Sequence, residues 1–156
     1  IPIVFALAGC RSLTLVDRER LLDADAVGIV SWGLLPYRNE ISAALKTPAE
    51  EIEQKLRKLS GMPLQFALRD LNCTYLAPCD VRDCGLPAES CDIATSRAVL
   101  EHIDAADVRH VLAALHRLVR SDGAMHHIID NSDHWAQGDT RISCLNFLRY
   151  GDGAYS

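Results

Sequence analysis

The stretch SCDIATSRAVLEHI, residues 90–103, decides the fold class. Cys91-Asp92-Ile93-Ala94-Thr95 reads as a short strand. Asp104-Ala105-Ala106-Asp107 then opens a helix. Its apolar positions Val108, Val111, Leu112, Leu115, Leu118 and Val119 fall on one face of a 3.6-residue period. Ser121-Asp122-Gly123 reads as a turn and Ala124 to Ile129 as a second strand. Strand, helix and strand in that order make a parallel pair with a right-handed crossover.

The same alternation extends upstream. Residues 1–9 have helix-forming composition, with Pro2 near the start and Gly9 as the stop. Leu13-Thr14-Leu15-Val16 is a β-branched apolar run ending at Asp17, and Asp23 or Asp25 opens a short turn. Trp32, Gly33, Pro36 and Tyr37 break any period between residues 28 and 46. Thr47-Pro48-Ala49-Glu50 reads as a capping box with Pro at the first helical position. Ile52, Leu56 and Leu59 follow at helical spacing until Gly61 and Pro63, and the charges from Glu50 to Lys58 make a solvated face. Thr74 to Ala77 is a further strand, followed by the turn-rich CDVRDCGLPAES. The expected architecture is α/β: a doubly wound, mainly parallel sheet with helices on both faces. It forms one domain over residues 1–156, with a helical insert or lid around 28–72.

Composition narrows the function classes. The chain has 156 residues, 49% of them hydrophobic and 24% charged, which suits one globular domain and excludes wholesale disorder. A net charge of −5 argues against nucleic acid as the partner. No apolar run is long enough to span a bilayer, so no membrane partner is expected. The opening IPIVFALAGC lacks the basic flank of a signal peptide and reads as a helix cut in its middle, while RYGDGAYS stops without a closing element, so a fragment is expected. The six cysteines form no CxxC pair, and reduced thiols in a cytoplasmic protein are the expectation.

In parallel sheets of this kind ligands bind just past the carboxyl ends of the strands. The polar residues there are Asp17, Asp80, Thr95-Ser96-Arg97, and the stretch from Asp130 to His134. A single strand-end aspartate is more often a cap or turn former than a ligand. Several at intervals that fit successive β-α units are less ordinary.

Taken together, LTLVD (13–17), CDVRDCGLP (79–87), SCDIATSRAVLEHI (90–103) and LHRLVRSDG (115–123) resemble successive motifs of class I S-adenosylmethionine-dependent methyltransferases. The resemblance implies a Rossmann-like fold, S-adenosyl-L-methionine as cofactor and methyl transfer to a small molecule. It matches Asp17 to the acidic residue that pairs with the ribose hydroxyls. It matches Asp80 to the carboxylate that accepts from the adenine amino group, with Val81 stacking beside the ring. Ser96, Arg97 and Ala98 match the stretch that lines the methionine end. Glu101 and His102 match the L-E-H signature, for which a cap and packing role is at least as natural as catalysis. The chain departs from the family in three ways. Nothing matches the first strand and its Gly-rich loop, the sixth and seventh strands are missing, and Asp122 stands where Pro is common.

The run His126-His127-x-x-Asp130-x-x-Asp133-His134 invites other chemistry. Adjacent residues of a strand face opposite ways, so His126 and His127 cannot chelate one ion together. A set of His127, Asp130 and His134 stays open for a metal-dependent hydrolase, although no metal is expected. Asn131, Trp135, Asn146 and Phe147 add a polar and aromatic wall that suits a small organic acceptor. His134 with Asp133 is the first choice of general base, and His127 the next. A cofactor-fold binding module without catalysis is the remaining alternative.

Overall fold

A computed structural model of the chain describes residues 2–23 and 25–149. The expectations about Ile1 and about the end of RYGDGAYS therefore fall on residues outside the described ones. The chain divides into two compact units, the first ending at Cys84 and the second starting at Gly85.

In the first unit α1 (Pro2–Leu7) leads to β1 (Leu13–Val16), which pairs in parallel with β2 (Cys73–Leu76), Leu13 opposite Cys73 and Val16 opposite Leu76. The second strand thus starts and ends one residue earlier than its composition implies. Between the strands lie α2 (Ala26–Leu34), a 3-10 turn (Leu35–Tyr37), α3 (Arg38–Leu45), α4 (Ala49–Ser60) and α5 (Leu64–Asp70). The Asp23 carboxylate starts α2 by accepting the backbone N–H groups of Asp25 and Ala26, at 3.0 and 2.8 Å. Pro36 is accommodated in the 3-10 turn, where its missing N–H costs nothing.

The capping box does not form. Pro48 is the N-cap of α4 and makes no side-chain cap bond, while the Thr47 hydroxyl reaches back to the Leu45 carbonyl. Helix α4 is held by its apolar stripe instead. Ile52, Leu56 and Leu59 are buried, and they join Ile3, Leu7, Val27, Leu35, Ala67 and Leu71 in one core. The opposite face carries Glu51–Lys55 and Glu53–Arg57 ion pairs, solvated and individually weak. Gly28 is required where α2 meets α4, because a Cβ there would lie 3.1 Å from the Ser60 carbonyl oxygen.

In the second unit β3 (Cys91–Arg97) pairs in parallel with β4 (Val119–Ile128) through α6 (Ala105–Leu118). Val111 and Leu118 of α6 are buried, as the 3.6 period requires. Both strands are longer than their composition implies. Ser96 and Arg97 are the last residues of β3 rather than the first beyond it. The expected turn at 121–123 is part of β4, which begins directly after α6.

That difference has a local cause. The register jumps from Cys91 opposite Val119 to Ile93 opposite Ala124, so the extra residues of β4 bulge out of the ladder. Arg120 ties the bulge down with an ion pair to Asp92 at 2.7 Å and two 3.0 Å contacts to Asp122. Gly123 fits because a Cβ there would stand 2.6 Å from both the Asp92 carbonyl oxygen and the Val119 side chain. Turn-forming residues are thus used to build a bulge. Among the described residues each unit contributes one two-stranded parallel sheet, in place of the expected continuous doubly wound sheet. Among the described residues no helix is long and apolar enough to cross a membrane. The six cysteines are free thiols.

Candidate functional site

In the first unit the polar groups past the strand ends are organised by a tyrosine. Tyr75 lies opposite Leu15, and its hydroxyl oxygen accepts the N–H groups of Leu21 and Leu22 at 3.1 and 3.2 Å. The same hydroxyl lies 3.3 Å from Asp17 Oδ2, to which it donates. Asp17 is half-buried directly after β1, its own N–H donating to the Leu76 carbonyl and its carbonyl accepting from Cys79. The loop after β1 is wrapped around one phenol, with a carboxylate held at its base. Tyr75 was invisible as a site residue because a tyrosine in a strand reads as core.

Asp80 is placed differently. It caps the 3-10 turn Val81–Asp83 and accepts the Arg82 backbone N–H at 2.9 Å. Arg82 Nε and Nη2 approach the same carboxylate at 3.0 and 2.7 Å. These hydrogen bonds, with the charges of Arg82 and Arg18 behind them, hold its pKa down at about 2. Val81, half-buried, follows in the same turn.

The second unit gathers its polar groups where β3 and β4 end. Ser96 and His127 are register partners, and Ser96 Oγ stands 2.8 Å from His127 Nδ1. His127 is half-buried while His126 is exposed, the alternation a strand imposes. Burial, and next the charge of His126, push the His127 pKa down. Arg97 is exposed, and Ala98 leaves the strand in the left-handed region at φ 51°, its N–H donating to the Ile128 carbonyl at 2.9 Å.

Leu100–His102 forms a 3-10 turn that points two groups at the segment beyond β4. Glu101 Oε1 accepts the Asp130 N–H at 3.2 Å, and the His102 ring lies 5.4 Å from the His134 ring. His134 Nε2 is 3.5 Å from Asp130 Oδ2, and Asp130 Oδ1 accepts the Ser132 N–H at 2.9 Å. The Ser132 hydrogen bonds, ahead of His134, lower the Asp130 pKa.

Asp133 does not share this contact. Its carboxylate accepts the Trp135 N–H at 3.0 Å and the Asn146 side-chain amide at 3.1 Å, and its N–H donates to the Cys144 carbonyl. Asp133 therefore holds the turn His134–Gln137 in place, and Asp130 is the carboxylate that His134 touches. The spacing contained that signal, since i to i+4 reaches across a turn whereas i to i+1 does not. Trp135 stays exposed. No group of three or more His, Cys, Asp or Glu side chains able to hold a metal is found among the described residues. His127, Asp130 and His134 do not form one.

A groove of about 710 Å³ lies at the other end of β4, lined by Glu89, His116, Arg117, Arg120, Ser121 and Met125 among others. It contains none of the residues singled out above. Its arginines are already engaged, Arg120 with Asp92 and Asp122 and Arg117 with the Leu86 carbonyl.

A family model described as a methyltransferase domain matches residues 43–126. The match takes in Asp80, Val81, Ser96, Arg97 and Ala98, while Asp17, His127, Asp133 and His134 lie outside it. No curated protein and no solved structure matches the chain.

Proposed function

Because the chain belongs to the class I S-adenosylmethionine-dependent methyltransferase family, we propose that it methylates a small organic acceptor with S-adenosyl-L-methionine as cofactor. The observation that carries this reading is the linked set at the ends of β3 and β4: Ser96 on His127, Glu101 on Asp130, and Asp130 on His134. A reacting site needs held polar groups at strand ends, and this one holds them.

The cofactor fits the first unit unevenly. Asp17 is a half-buried carboxylate whose only side-chain hydrogen bond among the described residues comes from Tyr75, which leaves Oδ1 free to accept from a ribose hydroxyl. Asp80 meets an adenine amino group with a carboxylate already accepting three Arg82 hydrogen bonds, so only one lone pair of its usual four is open. Val81 supplies the apolar surface beside the base. In the second unit Ser96, Arg97 and Ala98 would line the methionine end.

Bound there, the cofactor would supply an electrophilic sulfonium methyl group for transfer. The protein's own work is to orient the acceptor, exclude water and receive the acceptor's proton. His134 takes that proton, and Asp130 stabilises the resulting imidazolium. Asp133 positions His134 by holding its turn, and His127 faces the acceptor from β4.

The doubly wound sheet, the single domain over 1–156 with its helical insert at 28–72, and a cytoplasmic location belong to the same proposal. A net charge of −5 supports a small acceptor over nucleic acid. A second reading, a cofactor-fold binding module without turnover, is favoured by one observation, the engagement of Asp80 by Arg82.

The test combines calorimetry against S-adenosylhomocysteine with turnover of methyl-labelled cofactor over a panel of small hydroxy and amino compounds. His134→Ala should lower turnover while leaving S-adenosylhomocysteine affinity within about twofold, the split expected of a group acting on the acceptor. Asp17→Ala should weaken that affinity by about 1.5–3 kcal/mol, as for hydrogen bonds to a charged group. Binding with no turnover across the panel would select the second reading, and no binding would remove both.

A further inference from the structure

Among the described residues, two side-chain polar atoms of the second unit are shut away from solvent with no hydrogen-bond partner: His127 Nε2 and Glu101 Oε2. Both lie on segments that leave the parallel pair at its carboxyl end. His127 is the last residue but one of β4, and Glu101 is in the 3-10 turn after β3. Each side chain is fixed by its other polar atom. Ser96 Oγ stands 2.8 Å from His127 Nδ1, and Glu101 Oε1 accepts the Asp130 N–H at 3.2 Å.

The Ser96 hydroxyl can donate to Nδ1 or accept from it, and the subsite proposed below takes the hydroxyl as the donor. A neutral imidazole that accepts at Nδ1 carries its own proton on Nε2. Burial keeps His127 neutral by lowering its pKa. The Glu101 carboxylate is an acceptor at both oxygens. The result is a fixed donor and a fixed acceptor, each stripped of solvent and neither used by the fold. Most buried polar groups are satisfied, and although Ser31 Oγ in α2 is also left open, two such groups on segments at the ends of paired strands lie where ligands bind.

We propose that His127 Nε2–H and Glu101 Oε2 form the recognition subsite for the methyl acceptor. It takes a small molecule that presents a carbonyl or carboxylate oxygen to His127 and an O–H or N–H to Glu101. Ser96 is a positioning residue, acting through the tautomer it imposes on His127. This inference rests on the methyltransferase reading for the word acceptor, but the subsite itself is tested without the cofactor.

The experiment uses the full chain with ¹⁵N-labelled histidine. Long-range ¹H–¹⁵N spectra should show His127 with Nδ1 unprotonated and Nε2 protonated, and Ser96→Ala should abolish that preference. The probes are 2-, 3- and 4-hydroxybenzoate, which hold both groups at increasing separation, with benzoate and phenol as single-group controls. At least one hydroxybenzoate should shift the His127 Nε2–H resonance and bind about tenfold more tightly than either control. Glu101→Gln should lose that advantage. His127→Gln, which keeps an N–H donor, should retain it within about threefold, while His127→Leu should not. The reverse tautomer, or equal binding by hydroxybenzoates and controls, overturns the subsite. Failure of S-adenosylhomocysteine to bind while the tautomer and probe results hold would overturn the methyltransferase reading and leave the subsite standing.

Discussion

The two units spend their apolar residues differently. The first buries nine hydrophobic side chains in one core and closes its strand-end carboxylate Asp80 with an arginine from the same turn. The second buries Leu100, Val111, Leu118 and Val119, and keeps two buried polar atoms unpaired at its strand ends, where the first keeps one, Ser31 Oγ, inside α2. Both leave large apolar side chains exposed, Trp32 in the first and Trp135 in the second. The unit with the larger core is built for stability. One that leaves a donor and an acceptor open gives up stability at a place where a ligand can restore it. The proposed acceptor site belongs to the unit with the thinner core.

Core truncation should bring out the contrast most strongly. Leu56 is fully buried in the middle of the first core, and Leu56→Ala should cost about 3–5 kcal/mol, transfer and cavity terms together. Leu118 is nearly as buried, but its surroundings in the second unit are thinner and collapse more readily, so Leu118→Ala should cost about 2–3 kcal/mol. Urea melts give the totals, and amide exchange assigns each loss to its unit. Equal costs at the two positions would break the comparison.

Gly123 tests the bulge that shapes the second unit. Gly123→Ala drives a Cβ to 2.6 Å from the Asp92 carbonyl oxygen, a backbone atom that cannot swing aside. A loss of about 1–3 kcal/mol is expected, as for overpacking. Amide protection in β3 and β4 should fall while that in α4 is unchanged. An unaltered β3–β4 exchange pattern would show that the bulge yields freely.

These sites also show where the sequence was readable. Helices α4 and α6 and strand β1 were legible because an apolar period needs only its own segment to declare itself. The register of β4 was not. Ser121-Asp122-Gly123 has turn composition, and only the partner strand, through Asp92 and its pairing with Arg120, makes it a bulge. The candidate residues Ser96, His127 and His134 were legible as residue types near strand ends. Their partners were not, because Ser96 to His127 and Glu101 to Asp130 are separated by about thirty residues and meet only through strand pairing. Asp130 is the exception, since its i to i+4 spacing from His134 was readable in the sequence and favours it over the adjacent Asp133.

Asp80 offers a smaller effect with a defined pH window. Its folded pKa of about 2 lies below the model-peptide value of 3.8, so its contribution is complete above that value and is lost as pH falls through about 2. A quarter of the side chain remains exposed, which reduces the contribution to about 1 kcal/mol. Asp80→Asn should therefore destabilise the first unit by about that amount at neutral pH, and the gap from wild type should close between about pH 4 and 2. A gap that persists at pH 2 would mean that the Arg82 interaction is not what lowers the pKa.

The smallest effect runs in the opposite direction and bears on whether strain is stored beside the subsite. Ala98 follows β3 directly at φ 51°, where its Cβ crowds the backbone, and its N–H is committed to the Ile128 carbonyl. Glycine adopts that conformation without the steric cost but loses more entropy on folding, so the two terms partly cancel. Ala98→Gly should stabilise the second unit by somewhat less than about 1 kcal/mol. Relief of strain in the folded state and a looser unfolded chain also make different kinetic predictions. The first slows unfolding, whereas the second slows folding, so stopped-flow rates separate them. If Ala98→Gly destabilises by the full entropic cost of glycine, about 0.5–1 kcal/mol, β3 ends without stored strain. The open polar atoms at His127 and Glu101 would then be the remaining departure at this strand end among the described residues, and the contrast between the units would rest on their placement there and on the thinner core.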